Sequence, residues 1–182
     1  NPDYADAYLN RGGAYREKGE YDKAIKDYSE AIRRKPDDAN AYVNRGISYL
    51  RKGDFDAAIK DYSEAIRLNP DDARVYFKRG FAYDEKGEYD KAIKDYSEAI
   101  RLKPDHAKAY YNRGSAYREK GEYDKAIEDF TQVIRLDPNN VLAYGLAYYK
   151  KGKYDKTIKD YTKAIRLDPN YAEVYRWRGI AY

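Results

Sequence analysis

The chain has 182 residues, 42% apolar and 37% charged, enough for one ordinary domain with a packed interior. Its 36 basic and 32 acidic residues are closely interspersed and leave a net charge of +4, a mixed solvated surface rather than the basic field of a nucleic-acid binder. The lack of cysteine excludes disulfides, thiolate metal sites and thiol catalysis, and no apolar run approaches the roughly 18 residues that span a bilayer.

Proline falls at positions 2, 36, 70, 104, 138 and 169, so the chain is written in units of 34 residues with one of 31. Slot 1 is taken as the third residue after each proline. In the unit 5–38, Tyr8, Gly12 and Tyr15 occupy slots 4, 8 and 11, a stripe at i, i+4, i+7 along a first helix. Lys18 and Gly19 close that helix with a cation and a permissive C′ residue. Asp22 lies in the first turn of a second helix, whose apolar stripe is Tyr21, Ala24, Ile25, Tyr28, Ala31 and Ile32 and which ends ahead of Pro36. Gly12 and the two alanines allow the paired helices to approach closely. With 24 tyrosines against four phenylalanines and one tryptophan, the core is built largely from amphipathic rings.

The units 39–72, 73–106 and 107–140 repeat this plan, with Phe130 where the others carry Tyr. The unit 141–171 lacks the equivalents of Tyr111-Asn112-Arg113, lost between Tyr144 and Gly145. A true deletion there rotates the rest of the helix by about 60° and shortens it by about 4.5 Å. Alternatively, three residues are missing from the sequence as read, which a Tyr144–Gly145 Cα separation well beyond about 3.8 Å would reveal. Residues 172–182 supply a first helix alone, so about eleven helices are expected in one array over 1–182. With no Met, a start at Asn1-Pro2 and an end at Ala181-Tyr182, the chain reads as a piece of a longer protein.

This pattern resembles the tetratricopeptide repeat family, whose W-x2-L-G-x2-Y, A-x3-F and P signature appears as Tyr42-x2-Arg45-Gly46-x2-Tyr49, Ala58-x3-Tyr62 and Pro70. The resemblance covers essentially the whole chain. It implies an all-α fold, an α-solenoid of antiparallel helix pairs that winds into a right-handed superhelix with a concave groove. One departure is systematic: slot 7, usually Leu, is Arg11, Arg45, Arg79, Arg113 and Arg178, while slot 23 is Asp27, Asp61, Asp95, Asp129 and Asp160. Slot 7 lies at the edge of the core stripe, so a structural Arg–Asp pair within each repeat is expected, with the Arg stem on tyrosine rings. Asp160 alone lacks its partner.

Catalysis has little to work with. His106 falls in an inter-repeat turn, Ser29, Ser63 and Ser97 stand away from any base, and Asp71-Asp72 open a helix, where capping accounts for them. The glycines punctuate helices rather than forming a phosphate loop. No enzyme activity, cofactor or metal site is expected.

Binding is the stronger expectation. At about 100° per residue, slots 2, 5, 6, 9, 12 and 13 of the first helices face away from the core stripe, and the resemblance implies that they line the groove. Slot 6 reads Asn10, Asn44, Lys78, Asn112, then Trp177 after the shortened unit. A ladder of asparagines, each with a donor and an acceptor, can pair with the backbone of an extended peptide. Phe77, Phe81 and Leu146 offer apolar anchors beside them. Some family members hold a C-terminal carboxylate through Lys and Asn in one repeat, Asn at slot 6 in the next, and basic slots 2 and 6 in the third. Asn44, Arg74 and Lys78 match the last two parts, but Leu9 and Gly13 stand where the first Lys and Asn belong. The expected function is a protein–protein interaction scaffold holding an extended peptide or short helix of a partner; the alternative is a structural spacer that self-associates through exposed repeat ends. Neither nucleic acid nor membrane is expected as a partner.

Overall fold

The computed structural model describes residues 3–136 and, beyond them, Thr162 alone; the shortened unit with its Tyr144–Gly145 junction, Asp160, and the final first helix lie outside the described residues. Among the described residues the chain forms α1 (Asp3–Glu17), α2 (Tyr21–Arg34), α3 (Ala39–Lys52), α4 (Phe55–Leu68), α5 (Ala73–Glu85), α6 (Tyr89–Leu102), α7 (Ala107–Glu119) and α8 (Tyr123–Leu136). It falls into two compact units, residues 1–102 and 103–182. The first holds three helix pairs, α1 with α2, α3 with α4 and α5 with α6; the second holds α7 with α8.

The glycine at slot 15 decides where each first helix ends. Gly53 takes φ +80°, a left-handed backbone at no steric cost, and the Asp54 amide then donates back to the Tyr49 carbonyl at 3.0 Å. The chain reverses in this turn and Asp54 caps the next helix, accepting from the Ala57 amide. Second helices end on a backbone bond such as Asn69 N–H to the Ala65 carbonyl at 2.9 Å. Asp38 and Asp72 then cap α3 and α5 by accepting from the Asn40 and Arg74 amides. Turns this short force consecutive helices into antiparallel neighbours.

Within each pair, the glycine at slot 8 makes room for the ring at slot 24. A Cβ on Gly46 would lie 2.7 Å from Cε1 of Tyr62, and one on Gly114 2.8 Å from Cε1 of Phe130. The rings of Tyr28, Tyr62, Tyr96 and Phe130 are therefore buried against bare backbone, flanked by buried alanines such as Ala58 and Ala65. In the first unit α2 also packs on α3, and α4 on α5, so the same slots are covered from both sides. Val75 of α5 joins Ala58, Tyr62 and Ala65 in one cluster.

The slot 7 arginines meet the slot 23 aspartates. Arg45 donates from Nε to Asp61 Oδ2 at 2.8 Å and from Nη2 to Oδ1 at 2.7 Å; Arg11–Asp27, Arg79–Asp95 and Arg113–Asp129 have the same two-pronged geometry. Each guanidinium also lies 5.3–5.8 Å from the slot 4 tyrosine ring of its own helix. Two links across repeats carry no signal in any single unit. Arg45 Nη1 reaches back to Ser29 Oγ and Arg79 Nη1 to Ser63 Oγ, both at 3.0 Å. Lys52 pairs with Asp22, and Lys86 with Asp56 at 2.6 Å, tying the end of each first helix to the start of the preceding second one.

Candidate binding face of the first helices

The stripe of slots 4, 8 and 11 turns one side of α1, α3 and α5 into the pairs and leaves slots 2, 5, 6, 9, 12 and 13 on another. In the first unit that other face carries Asn10, exposed on α1, and Asn44 and Lys78, half-buried on α3 and α5. Asn44 is not free to pair on all sides: Arg16, in the last turn of α1, donates from Nη1 to its Oδ1 at 2.7 Å. One of the two lone pairs of that oxygen is thereby engaged, and its NH2 group can donate to a ligand carbonyl. Next to that bond lies a cleft of about 530 Å³ lined by Arg16, Glu17, Tyr21, Ile47 and Arg51.

The apolar candidates divide. Phe77 places its ring 5.7 Å from that of Tyr96, and Val43 and Ile47 pack on the cluster around Tyr62, so these side chains serve the interior at least at their base. Phe81 is half-buried. Arg74 closes on its own helix cap, with Nε 3.0 Å from Asp72 Oδ1 and Nη2 2.7 Å from Oδ2. In the second unit Asn112 is half-buried on α7, next to Tyr111, whose ring is exposed on one side and 5.9 Å from Phe130 on the other. Leu146 and Trp177 lie outside the described residues.

Electrostatics mark Lys78. Burial first, then the charges of Arg16, Arg74 and Arg51, hold its ammonium below the usual lysine value, with Asp72 pulling the other way. Arg51 is exposed at the end of α3. Sequence reasoning singled out Lys78 but passed over Arg16 and Arg51, because slots 12 and 13 vary from unit to unit and nothing local ties them to slot 6 of another helix. His106 stands at the N-cap of α7, half-buried, without a side-chain cap bond. Among the described residues no group of three His, Cys, Asp or Glu side chains gathers to hold a metal, and no helix is long and apolar enough to cross a membrane.

Comparison with known proteins follows this geometry. Models of the tetratricopeptide repeat match residues 107–140 and 43–105, and a model described as TPR repeat matches 12–53 and 145–182. A solved structure of MamA protein superposes with a TM-score of 0.89 at 30% identity, covering 95% of this chain and 96% of that one. A tetratricopeptide repeat protein from Parabacteroides merdae gives 0.88 at 22% identity, over 99% of this chain and 73% of that one. YrrB, described as a TPR protein with an unusual peptide-binding site, gives 0.79 at 21% identity, over 93% and 89%. Among curated proteins no sequence matches.

Proposed function

The chain belongs to the tetratricopeptide repeat family, an all-α solenoid of helix pairs whose members are typically non-enzymatic scaffolds, and from that premise we propose that it holds an extended peptide or short helix of a partner protein on the face formed by its first helices. The observation that carries this reading is the cleft beside Asn44, where Arg16, Glu17 and Arg51 bring charged groups together with the rings and stems of Tyr21 and Ile47. The cleft is mostly polar, so its charged groups can orient a bound segment while Tyr21 and Ile47 add a small apolar contact. YrrB, a neighbour in fold, is described with a peptide-binding site of its own, which agrees with this use of the architecture.

The test is peptide selection from a random display library, followed by anisotropy titration of the selected peptides. Asn44→Ala is expected to weaken them about tenfold, the loss of one directed hydrogen bond pair. Lys60→Ala, exposed on α4, is expected to leave them unchanged. Equal affinity in Asn44→Ala together with a loss in Lys60→Ala would move the site to the second helices.

A further inference from the structure

Slots 3, 7, 10 and 14, at i, i+4, i+7 and i+11, share one flank of each first helix. The flank is Ala41, Arg45, Ser48 and Lys52 in α3, and Val75, Arg79, Ala82 and Lys86 in α5. Ala41, Ser48, Val75 and Ala82 are buried, and the side chains of Arg45 and Arg79 are each 19% exposed. In α1 the same slots hold Ala7, Arg11, Ala14 and Lys18, and all four are exposed, the Arg11 side chain to 58%. The residue types are conserved between the three helices, but the cover is not.

The cover on α3 and α5 shows what this flank accepts. α2 packs on α3 and α4 on α5, and each covering helix is attached at two points seven residues apart. Asp22 of α2 pairs with Lys52 and Ser29 accepts from Arg45 Nη1; Asp56 of α4 pairs with Lys86 and Ser63 accepts from Arg79 Nη1. The small residues at slots 3 and 10 admit the apolar side chains of the covering helix, as Ile66 of α4 packs on the cluster that holds Val75. On α1 the receiving halves of both attachments are present and unused. Arg11 gives Nε and Nη2 to Asp27, and its Nη1 makes no hydrogen bond among the described residues. Lys18 likewise joins no ion pair among the described residues, although its counterparts Lys52 and Lys86 each hold an aspartate.

We propose that this flank of α1 is a second docking site, separate from the face that carries Asn44, for one amphipathic helix of a partner protein with the pattern Asp-x2-Ile-x3-Ser-x2-Ile, its Asp on Lys18 and its Ser on Arg11 Nη1. The pattern is the one α2 and α4 present to the helices they cover, as Asp22, Ile25, Ser29 and Ile32 and as Asp56, Ile59, Ser63 and Ile66. Arg11 and Lys18 stand seven residues apart on their own helix, so an antiparallel helix with Asp and Ser seven apart matches their spacing of about 10.5 Å, whereas an extended segment covers that length in about three residues. The partner is a separate protein rather than a second copy, because α2 and α4 of a copy already spend this pattern on their own α3 and α5.

The experiment titrates the full chain into a fluorescent peptide with the sequence of residues 21–34, acetylated and amidated, and follows anisotropy. Lys18→Glu in the protein and Asp22→Lys in the peptide are each expected to weaken binding about tenfold, and the two together to restore it. Lys18 is exposed at the end of α1, so its replacement is expected to keep the fold. A peptide with Ser29→Arg sets two guanidinium groups against each other and is expected to lose binding, whereas Asn44→Ala in the protein is expected to leave it unchanged. Binding that Lys18→Glu does not weaken, or that a scrambled peptide matches, overturns the proposal, as does the absence of binding. Weakening by Asn44→Ala assigns the peptide to the other face and overturns it too. Sedimentation of the chain alone at rising concentration completes the test: a monomer is expected, and a dimer that Lys18→Glu dissociates would give the flank to a second copy instead.

Discussion

Replacing Arg45 by Leu puts the residue most usual for the family at slot 7, yet in this chain it is expected to be strongly destabilising. Arg45 is only 19% exposed and Asp61 5%, and the pair shares two charge-assisted bonds of 2.7 and 2.8 Å, with a third bond from Arg45 to Ser29. Removing the guanidinium leaves a carboxylate between two packed helices with no cation in reach, a change that costs about 3–5 kcal/mol. In urea, with a slope of about 2 kcal/mol/M, the unfolding midpoint followed by circular dichroism drops by about 1.5–2.5 M. Substituting both partners, Arg45→Leu with Asp61→Leu, removes the buried charge as well as its mate and is expected to recover most of the loss. Arg11 provides an internal comparison. It makes the same bonds to Asp27 but is 58% exposed, so water can take over when it is removed, and Arg11→Leu is expected to move the midpoint less than Arg45→Leu. A wild-type midpoint for Arg45→Leu, or a double variant as unstable as the single, would refute the reasoning.

Tyr62→Phe is expected to stabilise by about 1 kcal/mol, because the Tyr62 hydroxyl is fully buried without a partner and Phe130 fills the same slot in the α7–α8 pair. Tyr96→Phe serves as its control, since the Tyr96 hydroxyl donates to Asp84 Oδ2 at 3.4 Å; a gain in Tyr96→Phe equal to that in Tyr62→Phe, or a loss in Tyr62→Phe, counts against this account. Acid titration offers a separate check through His106. Burial, and then Lys103, hold its imidazole below the ordinary value of 6.5, with Asp105 opposing. A depressed folded value favours the neutral ring, so this contribution to stability is complete above pH 6.5 and is lost as pH falls through that range. His106→Gln should flatten that part of the stability–pH curve, and an unchanged slope would exclude His106 as its source.

Much of this architecture is written locally. Pro36, Pro70 and Pro104 set the period, Gly19, Gly53, Gly87 and Gly121 take the positive φ that ends each first helix, and Gly46 facing Tyr62 follows from stripes that a helical wheel exposes. The Arg–Asp pairing is legible for the same reason: both residues recur in every complete unit, at the edges of stripes that must face each other. What lies between repeats is not legible in this way. The bond from Arg16 to Asn44 spans 28 residues and that from Lys52 to Asp22 spans 30, and each depends on how neighbouring helix pairs stack rather than on the content of either. Slot 6 therefore reads in sequence as an asparagine ladder, while in the folded chain Asn44 already accepts a bond from Arg16 and Lys78 is crowded by cations from two other helices and its own. Hydrophobic periodicity and backbone geometry act over one helical turn, so the sequence alone determines the helices, their caps and the residues that form the core. Charge acts through space between side chains far apart in the chain, so only the tertiary structure decides which charged groups meet.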